Sequence, residues 1–111
     1  MPPLVHPAIE DVELTTVLQA LADPVRLRLV SQLLDGEPRS CAPEAWHVDV
    51  HKSTLSHHYK VLREAGLTRT NVHGRNRSVR LRRAELEEWF PGLLAFLTAA
   101  AAREFPSVAD A

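Results

Sequence analysis

The chain of 111 residues carries 13 Lys and Arg against 14 Asp and Glu, with six His, for a formal net charge of −1. One domain is the natural size, and hydrophobic and charged fractions of 45% and 24% are those of an ordinary globular protein, not of a disordered, collagen-like or disulfide-stapled chain. No apolar run approaches the ~18 residues of a membrane helix and no signal-like N-terminus is present, so no membrane partner and a cytoplasmic location are expected; the single Cys41 fits a reducing compartment.

The charge is unevenly distributed. Residues 52–83 hold nine bases against one acid, Glu64, a net of +8, and the remainder holds four bases against thirteen acids, a net of −9. A near-neutral chain of this kind is able to present one strongly basic face.

In chain order, residues 1–9, with Pro2, Pro3 and Pro7, form an irregular arm. Val12, Leu14, Val17, Leu18 and Leu21 give a near-helical stripe over residues 10–22. Asp23-Pro24 starts a second helix, since Asp caps free N–H groups and Pro at the first position lacks a donor that would be unpaired anyway. That helix is expected to reach about Asp35 before Gly36, burying Leu27, Val30, Leu33 and Leu34 with Arg26 and Arg28 outward. Ser40 is expected to cap a short third helix near residues 41–47 that tolerates Pro43 only in its first turn.

A fourth helix follows over about Lys52–Ala65, closed by Gly66. Leu55, Tyr59 and Leu62 form its buried face, and Ser53, Ser56, His57 and Lys60 its polar one. His57 and His58 point about 100° apart, which assigns His57 to ligand contact and His58 to a structural hydrogen bond near the core. Two strands, Leu67–Val72 and Arg77–Arg82, flank His73-Gly74-Arg75-Asn76, with Val79 and Leu81 inward and Ser78, Arg80 and Arg82 outward. An acidic helix Ala84–Trp89 and an alanine-rich helix over about 91–105 complete the chain. Leu93, Leu94, Leu97, Ala100 and Ala101 of the last helix are expected to form a homodimer interface, because symmetric dimers are the commonest oligomers.

The fold class expected is therefore mainly α with a small β-hairpin, in the order α-α-α-α-β-β-α, with residues 10–83 as a winged helix-turn-helix and residues 84–111 as a helical dimerisation segment. Such a fold offers one helix to the ~12 Å major groove of DNA and the hairpin to the adjoining backbone. The candidate DNA-contacting residues are Lys52, Ser53, Thr54, Ser56, His57 and Lys60 on the helix and His73, Arg75, Asn76 and Arg77 on the hairpin.

The stretches Ala22-Asp23-Pro24-Val25-Arg26-Leu27-Arg28-Leu29-Val30 and Ser53-Thr54-Leu55-Ser56-His57-His58-Tyr59-Lys60-Val61-Leu62-Arg63-Glu64-Ala65-Gly66-Leu67 closely resemble the ArsR/SmtB family of bacterial transcription regulators. The resemblance spans about residues 10–83. It implies a homodimer on an inverted-repeat operator, usually repressing transcription until an effector lowers DNA affinity, with the fourth helix as recognition helix and the hairpin as wing.

Departures from the family pattern bear on mechanism. Metal-sensing members often carry paired cysteines ahead of the recognition helix; this chain has Ser40-Cys41-Ala42-Pro43-Glu44, with one Cys, too few soft ligands for a thiolate site. No His follows His73, so a C-terminal Asp/His site is absent too. The usual cap serine is His51 and the usual first-turn Gln is Lys52, so operator sequence does not carry over.

Three alternatives stand beside the regulator reading. His47, Asp49 and His51, joined by His6, are candidate Ni or Zn ligands of a metal-responsive regulator, against the plainer reading as polar turn residues. A protein-interaction module needs only the basic strip. An enzyme is not expected: there is no legible nucleophile–base set and no phosphate loop. Cys41 would sense oxidants only as an accessible, charge-stabilised thiolate, whereas free Cys is more commonly a small buried hydrophobe. The effector, whether small molecule or second protein, is not named by the sequence.

Overall fold

The structure, a computed structural model, describes residues 4–46 and 48–106. After a 3-10 turn at Ile9–Asp11 come helices α1 (Leu14–Leu21) and α2 (Pro24–Ser31), then a two-residue strand β1 (Arg39–Ser40) and a 3-10 turn at Pro43–Ala45. The longest helix, α3 (Lys52–Glu64), leads into the hairpin β2 (Thr68–His73) and β3 (Asn76–Leu81), followed by α4 (Arg83–Trp89) and α5 (Leu93–Glu104).

Local chemistry sets most boundaries. The Asp23 carboxylate accepts from the Arg26 N–H at 2.9 Å, and Pro24 opens α2 as expected. Helix α2 ends four residues short of the expected Asp35 and continues as turns to Gly36, whose φ of +81° favours glycine. Helix α3 closes in a Schellman arrangement: the Leu67 N–H donates to the Leu62 carbonyl at 3.0 Å, with Gly66 at φ +89° between them. Leu62 and Leu67, whose side chains accompany that turn, are both fully buried.

The sheet is antiparallel in the order β1-β3-β2. Pairing runs from Thr68 opposite Leu81 to His73 opposite Asn76, which leaves Gly74-Arg75 as a two-residue turn. Val79 and Leu81 enter the core with Leu29, Leu33, Leu55, Leu62 and Leu86, as the alternation requires. Strand β1 pairs Arg39 with Val79 and Ser40 with Ser78 on the far side of β3.

Four expectations are corrected. The helix near residues 41–47 is replaced by β1 and one 3-10 turn, because residues 39–40 extend to pair with β3 and the Ser40 hydroxyl accepts from the Ala42 N–H at 3.1 Å. Arg26 does not face outward: its Nε donates to the Ala20 carbonyl at 2.7 Å, satisfying an α1 C-terminal acceptor. Arg82 is 3% exposed, held by Glu85 at 2.9 Å and by the Pro7 carbonyl at 2.7 Å. Leu94 and Leu97 are buried in the protomer's own core, whereas Phe96 of α5 is 69% exposed and Leu14 and Leu18 of α1 are each 49% exposed. Leu93 packs against that core, and Ala100 and Ala101 are half-buried. No helix among the described residues is long and apolar enough to cross a membrane.

Candidate nucleic-acid interface

Helix α3 presents its apolar side, Leu55, Tyr59 and Leu62, to the core, so the opposite side is fixed in solvent. Lys52, Ser53, Thr54, Ser56, His57 and Lys60 are all exposed there. On the wing, His73, Arg75, Asn76 and Arg77 are exposed as well. All ten candidate contact residues thus lie at the surface of the two elements assigned to them.

The N-terminus of α3 is open to an incoming anion. His51 occupies the cap position without a capping hydrogen bond from its side chain, and the first turn contains no acid. The free N–H groups and the helix dipole therefore favour negative charge at this end. Lys60 forms only a long, exposed ion pair with Glu64 at 3.9 Å, an interaction of little net strength.

The support beneath α3 is built from polar contacts. His58 is 7% exposed, and its Nδ1 lies 3.3 Å from Arg26 Nη1, giving it the structural hydrogen bond expected of it. The Tyr59 hydroxyl donates to the Cys41 carbonyl at 3.1 Å, and its burial pushes the phenol well above its ordinary pKa. The Trp46 indole donates to the Ser40 carbonyl at 3.0 Å, while Arg39 lies over the Trp46 ring and donates to Gln32 at 2.8 Å. The segment that replaces a third helix is thereby braced against α2 and α3.

Cys41 is half-buried, and desolvation pushes its thiol up to about 11 despite nearby Arg77 and Arg63. At neutral pH it is a protonated thiol, neither a ready nucleophile nor a ready thiolate ligand. Among the described residues no three His, Cys, Asp or Glu side chains gather closely enough to hold a metal ion. His47 lies outside the described residues; Asp49 and His51 are exposed. His6 does not join them, because its Nε2 accepts from the Thr70 N–H at 3.0 Å.

Sequence reading gave no role to Arg63 or Thr70. Both line a cavity between α3 and the wing. Arg63, four residues after Tyr59, sits at the border of the buried and polar faces, the one signal that pointed to it.

A solvent-fixed polar helix beside a basic two-stranded hairpin defines a winged helix-turn-helix DNA-binding protein, and the comparisons with known proteins agree. Residues 21–71 match the family described as a helix-turn-helix domain. The chain is 37% identical over 79 residues to the uncharacterized HTH-type transcriptional regulator YceK of Bacillus subtilis, spanning 70% of this chain and 79% of that protein. The crystal structure of the transcriptional repressor BigR from Xylella fastidiosa superposes with a TM-score of 0.62 at 29% identity, covering 84% of this chain and 86% of that one. That of an ArsR family transcriptional regulator gives 0.58 at 27% identity, covering 81% and 93%. The chain belongs to the ArsR/SmtB family of winged helix-turn-helix transcriptional regulators. Its function is DNA-binding transcriptional regulation.

Proposed function

We propose that the protein acts in the cytoplasm as a homodimer on an inverted-repeat operator, with α3 as the recognition helix and β2–β3 as the wing. The observation that carries this reading is the exposure of all ten contact candidates on those two elements, with no acid in the first turn of α3. Ser53, Ser56 and His57 read base edges, Lys52, Thr54 and Lys60 approach the flanking phosphates, and His73, Arg75, Asn76 and Arg77 follow the adjoining backbone.

Dimerisation is supported by the apolar side chains left uncovered on the terminal helices, Leu14 and Leu18 of α1 and Phe96 of α5. Two copies joined there would present two recognition helices to successive major grooves, about 34–36 Å apart. An effector that changes this spacing changes affinity, and the operator's position relative to the promoter decides between repression and activation.

Genome-wide mapping of bound sites tests the whole reading. Sites with pseudo-palindromic halves about one helical turn apart are expected. Occupancy without a shared motif, or on single half-sites, would overturn the dimeric operator.

A further inference from the structure

Between α3, the wing and the β1 segment lies a cavity of about 360 Å³, within the range of small-ligand sites. Among the described residues four cationic side chains line it, Lys52 and Arg63 from α3 and Arg75 and Arg77 from the wing, and no acidic side chain does. None of the ion pairs among the described residues involves Lys52, Arg63 or Arg75. A concave surface with walls of low dielectric and one sign of charge concentrates counter-ions.

Two residues of the lining each carry a buried polar atom without a hydrogen-bond partner. Thr70 is 6% exposed, and its hydroxyl has no hydrogen-bond partner among the described residues. Arg63 Nε is likewise buried without one. Buried polar groups are normally paired, so two orphan donors on residues that line one positively charged cavity favour an acceptor oxygen there. The hydroxyl and guanidinium are both donors, and phosphate, sulfate and carboxylate oxygens satisfy them best. The remaining lining includes the protonated Cys41 thiol, Ala42 and Pro43, which makes one wall weakly polar.

We propose that this cavity is an oxyanion-binding site, taking a phosphate, sulfate or carboxylate group between Thr70, Arg63 and the wing cations. Two sources offer that chemistry: a free small anion, which would act as an effector, and a backbone phosphate of bound DNA. Lys52, Arg75 and Arg77 are also DNA-contact candidates, so a free anion here competes with DNA. That consequence rests on the DNA reading; the site itself does not.

The test uses the full-length 15N-labelled protein and follows the Thr70 and Cys41 amides and the Arg63 Nε–H by NMR. In the first arm inorganic phosphate replaces chloride at constant ionic strength; in the second a short duplex is added. A saturable shift of these resonances with phosphate, weakened about tenfold in Thr70→Val and in Arg75→Ala, supports a free-anion site. The same shift with duplex and not with phosphate, again lost in the variants, assigns the site to a DNA phosphate. Arg75 is exposed at the wing tip, so its variant keeps the fold if Thr70→Val does not. The proposal is overturned if neither probe moves these resonances, or if both variants respond like the parent. Fluorescence anisotropy of the same duplex scores DNA binding separately: binding with silent cavity resonances overturns the site alone, and a phosphate response without duplex binding overturns the DNA reading alone.

Discussion

Arg26 Nη1 approaches His58 Nδ1 to 3.3 Å across 32 residues of sequence, joining the start of α2 to the middle of α3. Since the guanidinium only donates, the His58 ring must accept at Nδ1 and is neutral in this contact. Burial, more than any charge, lowers the His58 pKa; Arg26 and His57 act in the same direction and Asp23 against it. His6 is likewise held neutral, by burial and then by Arg69, Arg63 and Arg82.

Acidification should therefore weaken the fold. Both rings have lowered folded-state pKa values, so their contribution is complete above the ordinary value of 6.5 and is lost as pH falls from there through the lowered values. Denaturant midpoints between pH 7.5 and pH 5 (roughly the range over which histidine titrates) should fall with pH. His6→Gln should remove part of that slope and cost about 1 kcal/mol at pH 7.5. A slope unchanged by the substitution would exclude His6 as a contributor.

The Arg82–Glu85 pair sets a second, more acidic transition. Hydrogen bonds from Arg82 first, and then from Arg69, hold the Glu85 carboxyl down at about 2. Its contribution is complete above 4.5 and is lost as pH falls from there to about 2. Glu85→Gln should flatten this acid limb. At neutral pH it should cost about 1–2 kcal/mol, less than the ~3–5 of a fully buried pair, because the Glu85 side chain is 34% exposed.

Gly66 should tolerate no side chain. A methyl group there would overlap the Val12 side chain, and the φ of +89° adds strain of its own. Gly66→Ala should cost more than about 2 kcal/mol, read by thermal or urea unfolding. Gly74→Ala, at φ +61° but with open space around it, should cost only about 1 kcal/mol.

Side chains on α3 and the wing should separate by function. His57→Ala and Ser56→Ala should weaken operator binding more than random-sequence binding. Arg75→Ala should weaken both alike and reduce the slope of log affinity against log salt by about 0.9 per lost phosphate. Equal losses on both kinds of DNA for His57→Ala would remove base reading from that face.

The oligomeric state should respond to the uncovered apolar side chains. If the proposed dimer forms through them, Phe96→Glu or Leu18→Glu should dissociate it in sedimentation experiments while leaving the single chain folded, since Phe96 is 69% and Leu18 49% exposed. Ala101→Ser, at a half-buried position, should have the smaller effect.

Helix α3 was legible because one local pattern decides it: Leu55, Tyr59 and Leu62 repeat at helical spacing and Gly66 ends the run. The hairpin was legible from the alternation of Val79 and Leu81 beside a single turn glycine, though both strands run one residue further into the turn, to His73 and from Asn76. Strand β1 was not, because two residues have no periodicity and their partners, Val79 and Ser78, lie far along the chain on β3. Arg82 misled because alternation places residues on faces but knows nothing of a carboxylate three positions on in the next helix. Leu94 and Leu97 share a helix face with the core, a relation fixed by how α5 docks on α2 and α4, not by its own composition. The Arg63–Thr70 juxtaposition joins a helix to a strand across the turn at Gly66, and neither residue type signals it alone.

The N-terminal arm is tied down by two contacts of very long range: His6 to Thr70, 64 residues apart, and Pro7 to Arg82, 75 apart. Such contacts close large loops late in folding and yield little enthalpy for the ordering they demand. The arm is thus the element most readily shed from an otherwise native protein, by local opening far below the global unfolding energy. Strand β2 lies at the edge of the sheet, and there the arm supplies the acceptor for the Thr70 N–H, the His6 ring. The Thr70 amide proton should exchange with solvent much faster than its neighbours' on β3, a clock for the arm's detachment while the helices beneath stay closed.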